Sequence, residues 1–119
     1  MSKIKESSTN FENKQNLRDC CLEIYSMNLI NRQWTLAICC ALGKARLRYG
    51  SIQKKIPNIT ERMLTLELRK MHKDGLVNRI VYSEVPSRVE YELTDIAKEL
   101  IPIIDHIKNW GEKHKRLVR

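Results

Sequence analysis

No apolar run in this sequence approaches the ~18 to 20 residues that a membrane-spanning helix needs. Residues 1–16 are polar and lack the apolar core of a secretory signal, so the expected compartment is the cytoplasm, with no membrane partner. There is no Gly-rich loop to cradle a phosphate and no paired-carboxylate motif. The histidines, His72, His106 and His114, lie in helix-forming stretches with no nucleophile pattern around them. These absences argue against an enzyme and against a bound cofactor. The four cysteines fall as two adjacent pairs, Cys20-Cys21 and Cys39-Cys40. Zinc sites space their ligands more widely within a pair, so no metal site is expected, and in a reducing compartment the cysteines read as free thiols. Acidic residues are also the scarcer sign: 14 Asp and Glu stand against 22 Lys and Arg, for a formal charge of +8. A balance of that kind favours polyanionic partners through counterion release and long-range attraction.

What is there is one domain's worth of chain, 119 residues with 42% hydrophobic and 30% charged content, enough to bury a core. Its organising stretch runs from Ile59 to Gly75. Thr60 is suited to cap a helix, because its hydroxyl can accept a bond from a first-turn amide. Gly75 is suited to end it in the left-handed conformation. At about 100° per residue, Leu64, Leu68 and Met71 share one face and Arg62, Leu66, Arg69 and Lys73 the opposite one. A helix greasy on one side and cationic on the other suits a DNA groove, although a basic stripe can also be a merely solvated face.

The elements around that stretch supply its context. Residues 1–16 read as a flexible lead-in. Helical spacing follows from Leu17 to Ile30, then from Gln33 to Leu42, where a run apolar nearly all round marks a central buried helix containing Trp34, Cys39 and Cys40. Residues 47–49 form a stub strand, a short helix runs from Ser51 to Ile56, and Pro57-Asn58 turns the chain. After Gly75 the period changes to two, and the runs on either side of residues 84–87 read as a hairpin. Thr94-Asp95 then caps a long last helix whose seam is Ile96, Leu100, Ile103, Ile104, Ile107 and Trp110, with a kink at Pro102. Residues 112–119 form a basic tail. The expected fold is mainly α with a small β-hairpin wing (α+β), a winged helix-turn-helix domain over residues 17–111.

That fold assigns roles. Arg62 and Arg69 are candidates for base readout, since a guanidinium can bond bidentately to guanine. Thr65 can meet a base or a phosphate. Leu66 reads either as a thymine-methyl contact or as a residue covered by the preceding short helix. Ser51, Lys54, Lys55 and Thr60 are expected on phosphates, Lys73 on a phosphate or on nothing, and Arg88 at the wing on the backbone or minor groove. Glu61 and Glu67 are expected to face away from DNA or to pair with a cation. Trp34 reads as core.

The residues also carry a resemblance. Cys21 and Trp34, Arg48-Tyr49, residues 56–60, Met63-Leu64-Thr65 with Leu68-Arg69, Asp74-Gly75-Leu76, residues 82–94 and Trp110-Gly111 together resemble the HxlR-type transcription regulators, relatives of the MarR group. The wing, with its Glu-Val-Pro turn leading into Val-Glu-Tyr, is the most specific part. Two departures stand out: Asn31-Arg32-Gln33 where the family has glycines and a basic residue, and serine at 83 and 87 where it often has proline. The resemblance implies a homodimer through the first and last helices, bound to double-stranded DNA at a two-fold related promoter site, and leaves room for a small-molecule or oxidant effector. It places Cys21 where some members sense oxidants, against the plain reading of a packed apolar residue. Cys39 and Cys40 read as inert packing. The rival function is a winged helix used as a protein-interaction module with no specific DNA site.

Overall fold

The structure, a computed structural model, describes residues 21–118. The lead-in expected over 1–16, the helix start expected at Leu17, and Arg119 lie outside the described residues. The chain divides after Arg32. The described part of the first unit is helix α1, Leu22–Ile30, entered from Cys21 in an extended conformation. On α1 Leu22, Ile24, Tyr25 and Met27 are exposed.

The second unit begins with α2, Thr35–Leu42, entered through Trp34. Thr35, Ile38, Cys39 and Leu42 are its buried residues, the i, i+3, i+4, i+7 face of a helix. Cys40 projects off that face and is exposed, which corrects the expectation that both cysteines pack inside. Gly43 ends α2 with φ −62. A Cβ there would lie 3.2 Å from Ile101 Cδ1, so it is the lack of a side chain, and not unusual backbone, that this position uses. Strand β1, Leu47–Arg48, leads straight into α3, Tyr49–Lys55. Asn58, at φ 70, makes the turn, a conformation asparagine tolerates better than most residues.

Helix α4, Glu61–Lys73, follows as expected from its signals. The Thr60 hydroxyl accepts from the Met63 amide at 3.1 Å. At the other end the Gly75 amide donates to the His72 carbonyl and the Leu76 amide to the Met71 carbonyl, with Gly75 at φ +78. That is a Schellman closure, and it needs the left-handed residue that glycine supplies. Leu64, Leu68 and Met71 are buried, each contributing about 1.5–3 kcal/mol by removal from water.

Strands β2, Val77–Tyr82, and β3, Arg88–Leu93, form the hairpin, and β1 joins it as an edge strand, giving the order β1-β3-β2. Both pairings are antiparallel, Leu47 opposite Tyr91 and Val77 opposite Leu93. The core closes among Ile38, Leu42, Ile52, Ile56, Leu64, Met71, Val77 and Leu93.

The last helix corrects the sequence reading. It is two helices, α5, Asp95–Lys98, and α6, Leu100–Val118, parted at Glu99. A proline ring clashes with the carbonyl four residues back. Pro102 therefore ends the helix at Lys98 and occupies the first turn of the next, where its missing N–H leaves no bond unmade. The helix also carries the residues beyond 111 as far as Val118. Thr94 ties this corner together: its hydroxyl accepts from the Ala97 amide at 3.3 Å and donates to the Gly75 carbonyl at 2.7 Å. Leu100, Ile101 and Ile104 pack on the core, whereas Ile96, Ile103, Ile107 and Trp110 stay exposed. No helix among the described residues is long and apolar enough to cross a membrane.

Candidate nucleic-acid interface

The buried stripe of α4 fixes what the helix turns outward. Arg62, Leu66, Arg69 and Lys73 are all exposed, along one side. Leu66 is 55% exposed, so α3 does not cover it. An apolar side chain on a cationic face can meet a thymine methyl. Arg62, Thr65, Leu66 and Arg69, with Tyr49 and Glu61, line a shallow depression of about 570 Å3.

Thr65 is less free than its position suggests. The Tyr49 hydroxyl donates to the Glu61 carbonyl at 2.6 Å and lies 2.9 Å from Thr65 Oγ1. A phenol has one proton, so Thr65 is the donor of the second bond. Tyr49 thereby links the first residue of α3 to the first two turns of α4, a role that sequence spacing did not single out. Glu61 remains exposed in the first turn, where its charge complements the helix dipole. Glu67 turns the other way and is buried, accepting a bond from Thr35 Oγ1 at 2.8 Å.

The helix before the turn supplies exposed Ser51, Lys54 and Lys55. The two lysines sit in the last turn of α3, where cations complement the carbonyl end. Lys55 lines a separate groove with Ala37, Cys40, Lys44 and Pro57, so it is not gathered with the α4 residues. Thr60 is exposed, and its oxygen is engaged as the α4 cap.

Arg88 is also occupied. Its guanidinium stacks 3.9 Å from the Tyr82 ring centroid, pairs with Glu84 at 3.1 Å and lies 4.0 Å from Glu90. The Tyr82 hydroxyl donates to Glu90 at 2.9 Å and accepts from Arg46 at 3.0 Å, while Arg46 also pairs with Glu92 at 3.1 Å. The bond to Tyr82, and then the charges of Tyr82 and Glu92, hold the Arg46 guanidinium above its ordinary pKa. Arg88 thus fastens the tip of the wing as much as it presents a charge.

A helix-turn-helix with an exposed basic second helix and a hairpin beside it has matching relatives. Residues 29–118 match the model of the HxlR-like helix-turn-helix family. An uncharacterized HTH-type transcriptional regulator of Methanothermobacter thermautotrophicus is 44% identical over 95 residues, 80% of this chain and 72% of that protein. A solved MarR-family transcriptional regulator of Porphyromonas gingivalis W83 superposes with a TM-score of 0.72 at 39% identity, over 77% of this chain and 90% of that one. The redox regulator HypR in its oxidized form gives a TM-score of 0.72 at 36% identity, over 78% and 96%. The chain belongs to the HxlR-like helix-turn-helix family and has the winged-helix fold of its transcriptional regulators.

Proposed function

We propose that this regulator binds a two-fold related promoter site as a homodimer, each copy laying α4 in the major groove and its hairpin along the flanking backbone or minor groove. The observation that carries the reading is the outward face of Arg62, Leu66, Arg69 and Lys73 on a helix pinned by buried Leu64, Leu68 and Met71. Arg62 and Arg69 read base edges, Leu66 meets a thymine methyl, and Thr65, oriented by Tyr49, serves a base or phosphate. Ser51, Lys54, Lys55, Thr60 and Lys73 hold phosphates and fix position. Arg88 touches the backbone or minor groove from the tip of the wing.

Dimerisation is supported by apolar surface that a lone chain would leave in water: Leu22, Ile24, Tyr25 and Met27 on α1, and separately Ile103, Ile107 and Trp110 on α6. Monomers rarely expose contiguous patches of that kind. Cys21 is a free, partly accessible thiol, and the similarity to a protein described as a redox regulator favours an oxidant-sensing role for it. The experiment for the main reading is selection of bound duplexes from a randomised pool with the purified protein. An inverted repeat with half-sites about one helical turn apart, or a multiple of that, is the expected product. A pool that enriches nothing over many rounds favours the protein-interaction module instead.

A further inference from the structure

The register of the hairpin places a second cationic feature beside the α4 face. Side chains alternate across a strand, and Val77 and Leu93, which are paired, both point into the core. Two residues along, Arg79 is paired with Tyr91, so these side chains share the core-side face but sit beyond the core. The sheet carboxylates Glu90 and Glu92 fall on the opposite face, where Arg46, Asn78 and Tyr82 engage them. The core-side face is therefore left without acid.

Arg79 and Tyr91 close a crevice of about 350 Å3 against the flank of α4, which contributes Thr65 and buried Leu68 together with Arg69 and His72, with Tyr49 completing the lining. Among the described residues, Arg69, His72 and Arg79 have no ion-pair partner. Two guanidinium groups and an imidazole around one opening form an anion seat. The crevice is continuous with the proposed reading face, because Tyr49, Thr65 and Arg69 line both it and the α4 depression.

We propose that this crevice seats one backbone phosphate of the bound duplex, gripped by Arg79 from the sheet side and by His72 from the helix side, with Arg69 at the border left to reach the bases. This rests on the reading that α4 lies in the major groove. It moves the wing's main phosphate contact from its tip, at Arg88, to the third residue of β2. Each phosphate neutralised by a protein cation adds about one unit to the slope of log affinity against log salt.

The test is a salt series on a duplex that the wild-type protein binds, with Arg79→Gln and Arg79→Lys measured beside it and thermal melts run on each. Arg79 is exposed, so both variants are expected to melt with the wild type. The expected result is a slope shallower by about one for Arg79→Gln, with affinity lowered alike for all sequences, and a wild-type slope for Arg79→Lys. A steep wild-type slope that Arg79→Gln leaves unchanged would overturn the crevice while leaving DNA binding intact. Equal losses in Arg79→Gln and Arg79→Lys would overturn it too, since the charge would then be irrelevant. A flat slope in the wild type itself would remove the DNA reading and the crevice with it.

Discussion

Thr35 donates to the Glu67 carboxylate at 2.8 Å, and both side chains are buried. The bond ties the start of α2 to the middle of α4 from behind, so the face that α4 turns outward is braced by a polar contact as well as by packing. Thr35→Val keeps the shape and removes the donor. Hydrogen bonds to charged groups contribute about 1.5–3 kcal/mol, and the expected loss in unfolding free energy, read by urea denaturation, is in that range. A Thr35→Val protein as stable as the wild type would mean the carboxylate is satisfied without Thr35.

The cysteines should separate by reactivity. Burial first, then the charges of Cys40 and Glu67, push the Cys39 thiol up from 9.0 to about 11. The thiolate is the reactive form, so Cys39 resists alkylation in the folded chain while exposed Cys40 reacts. The same shift sets a pH dependence. Ionisation of Cys39 is disfavoured by folding, so its contribution to stability is complete below about pH 9 and is lost as the pH rises towards about 11. Mass mapping after brief iodoacetamide treatment checks the first statement, and denaturation at stepped alkaline pH checks the second. For Cys21, Cys21→Ser should leave DNA affinity intact under reducing conditions and abolish its response to diamide. An unchanged response would leave Cys21 as packing alone.

The exposed stripe on α6 makes a third expectation. Ile107 is 45% exposed, away from the core, so Ile107→Glu should fold normally. Placed in a dimer contact it buries an unpaired charge, which is strongly unfavourable. Sedimentation should shift from twice the chain mass to the chain mass. A variant that sediments like the wild type would place the contact elsewhere.

Much of this architecture was legible in the residues because local signals agreed with one another. Thr60, the Leu64-Leu68-Met71 spacing and Gly75 each bound α4, and all three are realised by named hydrogen bonds or burial. The burial of Glu67 was within reach as well, since Leu64, Glu67, Leu68 and Met71 occupy the i, i+3, i+4 and i+7 positions. Its charge sets Glu67 apart from the apolar residues with which it shares that face. Cys40 was hidden by composition: a helix apolar on every side does not announce which side meets water. At Pro102 the pattern of apolar residues runs on across a break that only the proline's clash with the preceding turn imposes. The crevice is different in kind. Arg79 and Tyr91 are distant in sequence and meet through strand register, and Tyr49 reaches Thr65 across a turn, so pattern along the chain carries no trace of either.

On the proposed reading the outward side of α4 reads bases while neighbouring lysines only hold the backbone. The direct measurement is a base-preference profile, every single substitution of a selected site, taken for the wild type, Arg62→Ala, Arg69→Ala and Lys54→Ala. Each arginine variant is expected to lose discrimination of about 1–3 kcal/mol at one position, whereas Lys54→Ala weakens all sequences equally and keeps the wild-type profile. Profiles that weaken uniformly in all variants would contradict that reading.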